Sequence, residues 1–243
     1  MDEQLTKKER RELRRQEKES ERSNVVQANK TKKYFVRGFI LLAFVAVVFG
    51  FWKLSQRAHV IADAEVLAIN ELDWIRGDKD SAVTLIEYLD FQCPACGVYH
   101  PWVTQLFSEY GDRVRFATRH FPIINIHPNA MPAAKATEAA GKQKKFWEMH
   151  NLLFENQRNW SNERNPIDLF LSYAEDIGLD KDKFLADYKD GSIDDKIDSD
   201  RNGALRAGVT GTPTFFLNGK KINNPKGYEE FKTLIEKELG ISN

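Results

Sequence analysis

Cysteine is almost absent from this chain: Cys93 and Cys96 are the only two in 243 residues. Their spacing is too short to staple a long loop, and two thiols are too few for a structural zinc site, which takes about four ligands. The five histidines, His59, His100, His120, His127 and His150, show no HxxxH or similar ligand spacing, so no bound metal is expected. The acidic run Asp194, Asp195, Asp198 and Asp200 lacks the glycine of a calcium loop and reads as a solvated helix face. No phosphate-binding loop, nucleotide fingerprint or internal repeat is present. Net charge is missing too, with 36 Lys+Arg against 36 Asp+Glu. Metal and nucleotide chemistry therefore have no carriers, and the thiol pair stands out.

The zero balance conceals an asymmetry. Residues 1–57 hold 14 Lys/Arg against 7 Asp/Glu, leaving 22 against 29 for the rest. Within that basic region, residues 38–52 contain no charge and are bounded by Arg37 and Lys53. With Tyr34, Phe35 and Val36 added and Arg37 snorkelling, the run is long enough to cross roughly 28 Å of bilayer. Tyr34, Phe51 and Trp52 fall where interfacial aromatics sit, and the basic tail keeps the N-terminus cytoplasmic. A cleaved signal peptide is the competing reading. Its small-residue site, Ala62-Asp63-Ala64, lies about ten residues beyond the apolar run, a long spacing for that purpose, so the uncleaved anchor is the favoured reading. The organisation expected is a charged cytoplasmic tail at 1–33, a single-pass signal-anchor at 34–55, a linker at 56–72 and an extracytoplasmic domain at 73–243.

That domain is of a size to bury a substantial core. Strands are expected at 74–75 and 83–89, then a helix over 94–110 with Pro94 in its first turn and a kink at Pro101. Residues 113–118 alternate like a half-exposed strand. From about 127 to 207 the pattern is helical, with helices over 130–140, 166–177, 181–188 and 192–207, and an apolar side through Phe146, Trp147, Leu152 and Leu153. Trp102, Trp147 and Trp160 read as core or groove aromatics. A strand at 214–217, a turn at Asn218-Gly219, a return strand at 221–222 and an amphipathic helix over 228–239 complete it. This is an α/β pattern interrupted by helices.

The order strand, Cys93, helix puts the first sulfur at a helix N-terminus, where unpaired N–H groups favour a thiolate. Cys96, one turn further, is expected to be more buried and less acidic. The asymmetry makes Cys93 the nucleophile and Cys96 the resolving thiol, flanking the Pro94-Ala95 dipeptide. Compartment and pairing both point to a redox-active Cys93–Cys96 disulfide that needs no other cofactor. A local structural disulfide is the bland alternative.

Four features resemble the DsbA-like thiol-disulfide oxidoreductases, a thioredoxin fold with a helical insertion, over about residues 74–239. They are Phe91-Gln92-Cys93-Pro94-Ala95-Cys96, Gly211-Thr212-Pro213-Thr214-Phe215-Phe216, the helical block between them (about 127–207), and within it His127-Pro128-Asn129-Ala130 and Phe146-Trp147-Glu148-Met149-His150. The resemblance implies that Pro213 is cis and faces the cysteines, with Thr212 and Pro213 holding an extended substrate segment by strand addition. It matches Glu87 to a buried acid near the second cysteine, fit to exchange a proton with Cys96; a carboxylate that simply reaches solvent is the plainer reading. Asp90 is the alternative acid, in the loop. The family also implies a membrane-anchored bacterial enzyme that oxidises exported protein thiols and is itself reoxidised by a quinone-linked membrane partner. A reductase or isomerase kept reduced by a membrane electron donor is the second reading, although the dimerisation domain usual in such isomerases is not seen between the apolar span and Trp74. A binding or chaperone module with a vestigial pair is the third.

Overall fold

The computed structural model describes residue 18, residue 39, residues 41–50, residues 52–53 and residues 66–241. The tail expected at 1–33, most of the ends of the anchor expected at 34–55, His59 and the linker up to residue 65 lie outside the described residues, apart from Lys18. The chain divides into two units, 1–59 and 60–243. In the first, residues 41–50 are helical, and their large apolar side chains, such as Leu41, Phe44 and Val47, are exposed. Among the described residues no helix is long and apolar enough to cross a membrane.

The second unit is built on a five-stranded sheet. Its strands are β1 (Trp74–Gly77), β2 (Val83–Leu89), β3 (Val114–His120), β4 (Thr214–Leu217) and β5 (Lys220–Lys221), in the order β1-β3-β2-β4-β5. Strands β2 and β3 are parallel, joined by helix α1 (Pro94–Tyr110), and the other pairs are antiparallel. Strand β2 is central, and both faces of it are covered, which is why it reads as a near-continuous apolar run. Val83 and Leu85 enter the core shared with Val103 and Leu106 of α1; Ile86 and Tyr88 enter the core on the opposite face. The period of two therefore puts Glu87 on the α1 side. Helix α1 continues through Pro101.

The insertion comprises α2 (Ala130–Gly141), α3 (Phe146–Glu155), α4 (Gln157–Trp160), α5 (Ile167–Asp176), α6 (Lys181–Tyr188) and α7 (Gly191–Arg206); α8 (Tyr228–Glu238) ends the fold. Its core, around Trp160, Phe170 and Phe184, is continuous with Leu89, Phe91 and both cysteines. Two expectations need correction. The acidic run on α7 is not a uniformly solvated face: Asp200 is buried and accepts from the His120 backbone N–H at 2.9 Å and from Lys196 Nζ at 2.6 Å, and Asp194 pairs with Lys135 at 2.8 Å. The return strand also begins one residue earlier than expected. Asn218 and Gly219 both adopt positive φ, 49° and 74°, a two-residue turn that sets Leu217 opposite Lys220.

Entry into the domain is fixed by Arg119, buried on β3. It makes a bidentate pair with Asp73 at 2.6 and 2.8 Å and donates to the carbonyls of Val66 and Ala68 and to the Tyr88 hydroxyl. Val66 and Leu67, within the stretch read as linker, are therefore already part of the packed domain.

Candidate active site

Cys93 is the N-cap of α1, with extended backbone (φ −67°, ψ 121°), and Pro94 opens the helix. Proline suits that position because its missing N–H would find no helical partner. Pro94 and Ala95 are exposed, whereas Cys93 is 7% and Cys96 0% exposed. Both are thiols. The hydrogen bond from Cys96 is the largest influence on Cys93. It overcomes burial and, with the Thr212 side chain and the N–H groups of Cys96 and Ala95, brings the Cys93 thiol down to about 5. Cys96 moves the opposite way, well above an ordinary thiol, because burial and then the neighbouring Cys93 and Glu87 disfavour its thiolate. The two thiols are split in the expected direction, with the partner thiol as the largest cause for Cys93 and burial for Cys96, rather than the helix end alone. The pair is the redox centre.

Glu87 is buried, 6% exposed. Desolvation raises it to about 7, against the opposing field of Arg76. Arg76, on β1, escaped the sequence reading. Its guanidinium lies 4.6 Å from the centroids of both Phe107 and Trp147, and its Nε has no hydrogen-bond partner. Burial lowers it to about 10, so it remains the cation facing Glu87. Asp90, just past β2 in the loop, has its carboxylate turned to other partners. It is committed to the Gln92 N–H (2.8 Å), the Ile123 N–H (2.9 Å) and His127 Nδ1 (2.7 Å).

The register Tyr88 with Thr214 carries residues 212 and 213 to the end of β2 where the cysteines lie. The Thr212–Pro213 peptide is cis, and the Cys93 thiol donates to the Thr212 carbonyl at 3.4 Å. The Thr212 hydroxyl is buried and has no other hydrogen-bond partner, and its side chain is among the groups that hold Cys93 down.

The insertion grips the same turn. Asn129 donates from its side chain to the carbonyls of Trp160, Ser161 and Glu163, and its backbone N–H reaches Gln92 Oε1 at 2.6 Å. Gln157 Nε2 donates to the carbonyls of Phe91 and Cys93. These contacts span more than 30 residues, and a lone Asn, Gln or Arg gives no local signal for them. The one available hint was the His127-Pro128-Asn129-Ala130 motif. A groove of about 990 Å³ runs between Pro94, Gly97 and Val98 on one side and His127, Gln157 and Arg158 on the other. His100 and His150 pack on Phe154 behind the pair; burial holds His100 down to about 4 and pushes His150 far below an ordinary imidazole. Trp160 is wholly buried, and Trp102 and Trp147 are half-buried. Among the described residues no group of three or more His, Cys, Asp or Glu could hold a metal ion.

A family model described as thioredoxin matches residues 70–237. The structure is similar to that of alpha-DsbA1 from Wolbachia pipientis, at 25% identity and TM-score 0.66, covering 73% of this chain and 96% of that one. It is also similar to oxidised BdbD from Bacillus subtilis, at 25% identity and TM-score 0.63, covering 70% and 94%. Among curated proteins, a Na(+)/H(+) antiporter, NhaA 3 of Salinispora tropica, is 40% identical over 175 residues, which is 72% of this chain and 26% of that one. The chain thus spans about a quarter of the length of the curated relatives it matches.

Proposed function

The chain belongs to the thioredoxin family as a DsbA-like thiol-disulfide oxidoreductase, and on that premise we propose that it is a membrane-anchored oxidase. It forms disulfides in exported proteins outside the cytoplasm. The observation that carries the direction is the acidity split: Cys93 near 5 and Cys96 well above an ordinary thiol. A stabilised Cys93 thiolate favours the reduced form, and this makes the disulfide a strong oxidant.

A substrate thiolate attacks Cys93 Sγ of the Cys93–Cys96 disulfide, and the S–S bond breaks toward Cys96. The departing Cys96 thiolate takes up a proton, for which Glu87 is the buried donor. Neutral Cys96 does not attack back, so the mixed disulfide persists. The second substrate thiol loses its proton and attacks the substrate sulfur, expelling Cys93 as a thiolate. Two electrons have passed to the enzyme, and a quinone-linked membrane partner removes them. Thr212 and Pro213 supply the edge on which the extended substrate segment pairs.

The exposed apolar helix at 41–50 and the basic tail before it support the anchor. No ion transport is proposed from the antiporter names, because the matched portion is here a domain built around a thiol pair.

The test is the equilibrium of the full chain with glutathione. A potential well above the roughly −270 mV of thioredoxin is expected; a value close to it would favour a reductase. Changing Cys93 and Cys96 together to Ser abolishes exchange, and cellular function retained by that variant would indicate a binding module.

A further inference from the structure

Gln157 stands on α4, 64 residues beyond Cys93, yet its amide is aimed at the turn that carries that thiol. Nε2 donates to the Phe91 carbonyl at 2.7 Å and to the Cys93 carbonyl at 2.9 Å. A primary amide has two N–H bonds, and both are spent on the carbonyls either side of Gln92. The Cys93 carbonyl also accepts from the Gly97 N–H at 3.2 Å. Such an approach needs a glycine at 97: a Cβ there would lie 2.7 Å from Gln157 Oε1 and 3.3 Å from its Cδ.

We propose that Gln157 is a positioning residue for the Cys93 thiolate, with Gly97 as the gap that admits it. This rests on Cys93 being the exchanging thiol. With its carbonyl pinned toward the insertion, the Cys93–Pro94 peptide cannot swing. The N–H groups of Ala95 and Cys96 then stay aimed at Sγ, where they help hold the thiolate. Pro94 brings no N–H of its own, so the sulfur depends on these more distant donors. Releasing the carbonyl lets the peptide turn. That moves a partial negative charge and misaligns the donors, and both effects disfavour the ionised sulfur.

Two variants of the full chain, kept in detergent, provide the test. Gln157→Met keeps side-chain length and removes both donors. Gly97→Ala leaves the amide present but displaces its flexible end, while substituting a better helix former. The ultraviolet absorbance of the thiolate is titrated in the reduced protein, and the glutathione equilibrium and the melting temperature are measured alongside. Both variants are expected to move the Cys93 midpoint up by about one pH unit. The equilibrium constant for oxidising glutathione falls about tenfold, equivalent to about 30 mV for this two-electron couple. Gly97→Ala should do so without a lower melting temperature, a combination that a merely structural contact would not give. A folded Gly97→Ala protein with parental titration and equilibrium overturns the proposal, and it decides alone if Gln157→Met does not fold. A parent protein without any thiol titrating low overturns the reading of Cys93 itself, a separate and recognisable failure.

Discussion

At the scale of single residues, Glu87 shows how strand register creates a chemical property. The same alternation that buries Leu85 also turns Glu87 toward α1, and the loss of water there raises its carboxyl from 4.5 to about 7. A raised carboxyl binds its proton more tightly folded than unfolded. Its contribution to stability is complete below pH 4.5 and is lost as pH rises through 7. Glu87→Gln, measured by denaturant unfolding of the disulfide form, should therefore match the parent in pH trend below pH 4.5. It should gain on the parent by on the order of 3 kcal/mol between there and pH 8. A parallel pair of pH curves would show that Glu87 ionises freely. The family resemblance named Glu87, but nothing in the sequence named Arg76. An arginine on an edge strand looks solvent-bound until Phe107 and Trp147 close over it.

At the scale of elements, legibility followed the range of the signal. Helix α1 was expected over the residues it occupies because its start is marked by Pro94, a local cue; likewise Asn218-Gly219 located the final hairpin. Strand β1 extends beyond the expected 74–75 to Gly77, since its length is set by pairing with residues 115–118 of β3, which no local pattern encodes. The fit of α2 on β1 is another long-range matter. A Cβ on Gly141 would meet the Trp74 ring at 2.3 Å, and that ring stacks on Phe146 at 4.4 Å while its Nε1 donates to Glu138 at 2.7 Å. Gly141→Ala must move the indole or the helix. A loss of about 1–3 kcal/mol is expected from thermal or urea unfolding, despite the better helix propensity of alanine. Unchanged or higher stability would mean that Trp74 yields without cost.

At the scale of the whole molecule, the two units divide the labour proposed for them: one carries the apolar helix, the other the thiols. The full chain should fractionate with membranes and resist extraction by high salt, because its attachment is apolar rather than electrostatic. A chain beginning at Val60 should be soluble and keep the parental glutathione equilibrium. Release of the full chain by salt alone would replace the spanning anchor with a surface contact.

The Asn129 side chain carries an implication for grafting. One amide holds three carbonyls of the segment 160–163, while its own backbone holds Gln92, one residue before Cys93. The helical block is therefore not an interchangeable cassette. Anyone transplanting it onto a plainer relative must carry Gln92, Asn129 and their hydrogen bonds as one set, or the borrowed helices arrive without their seat.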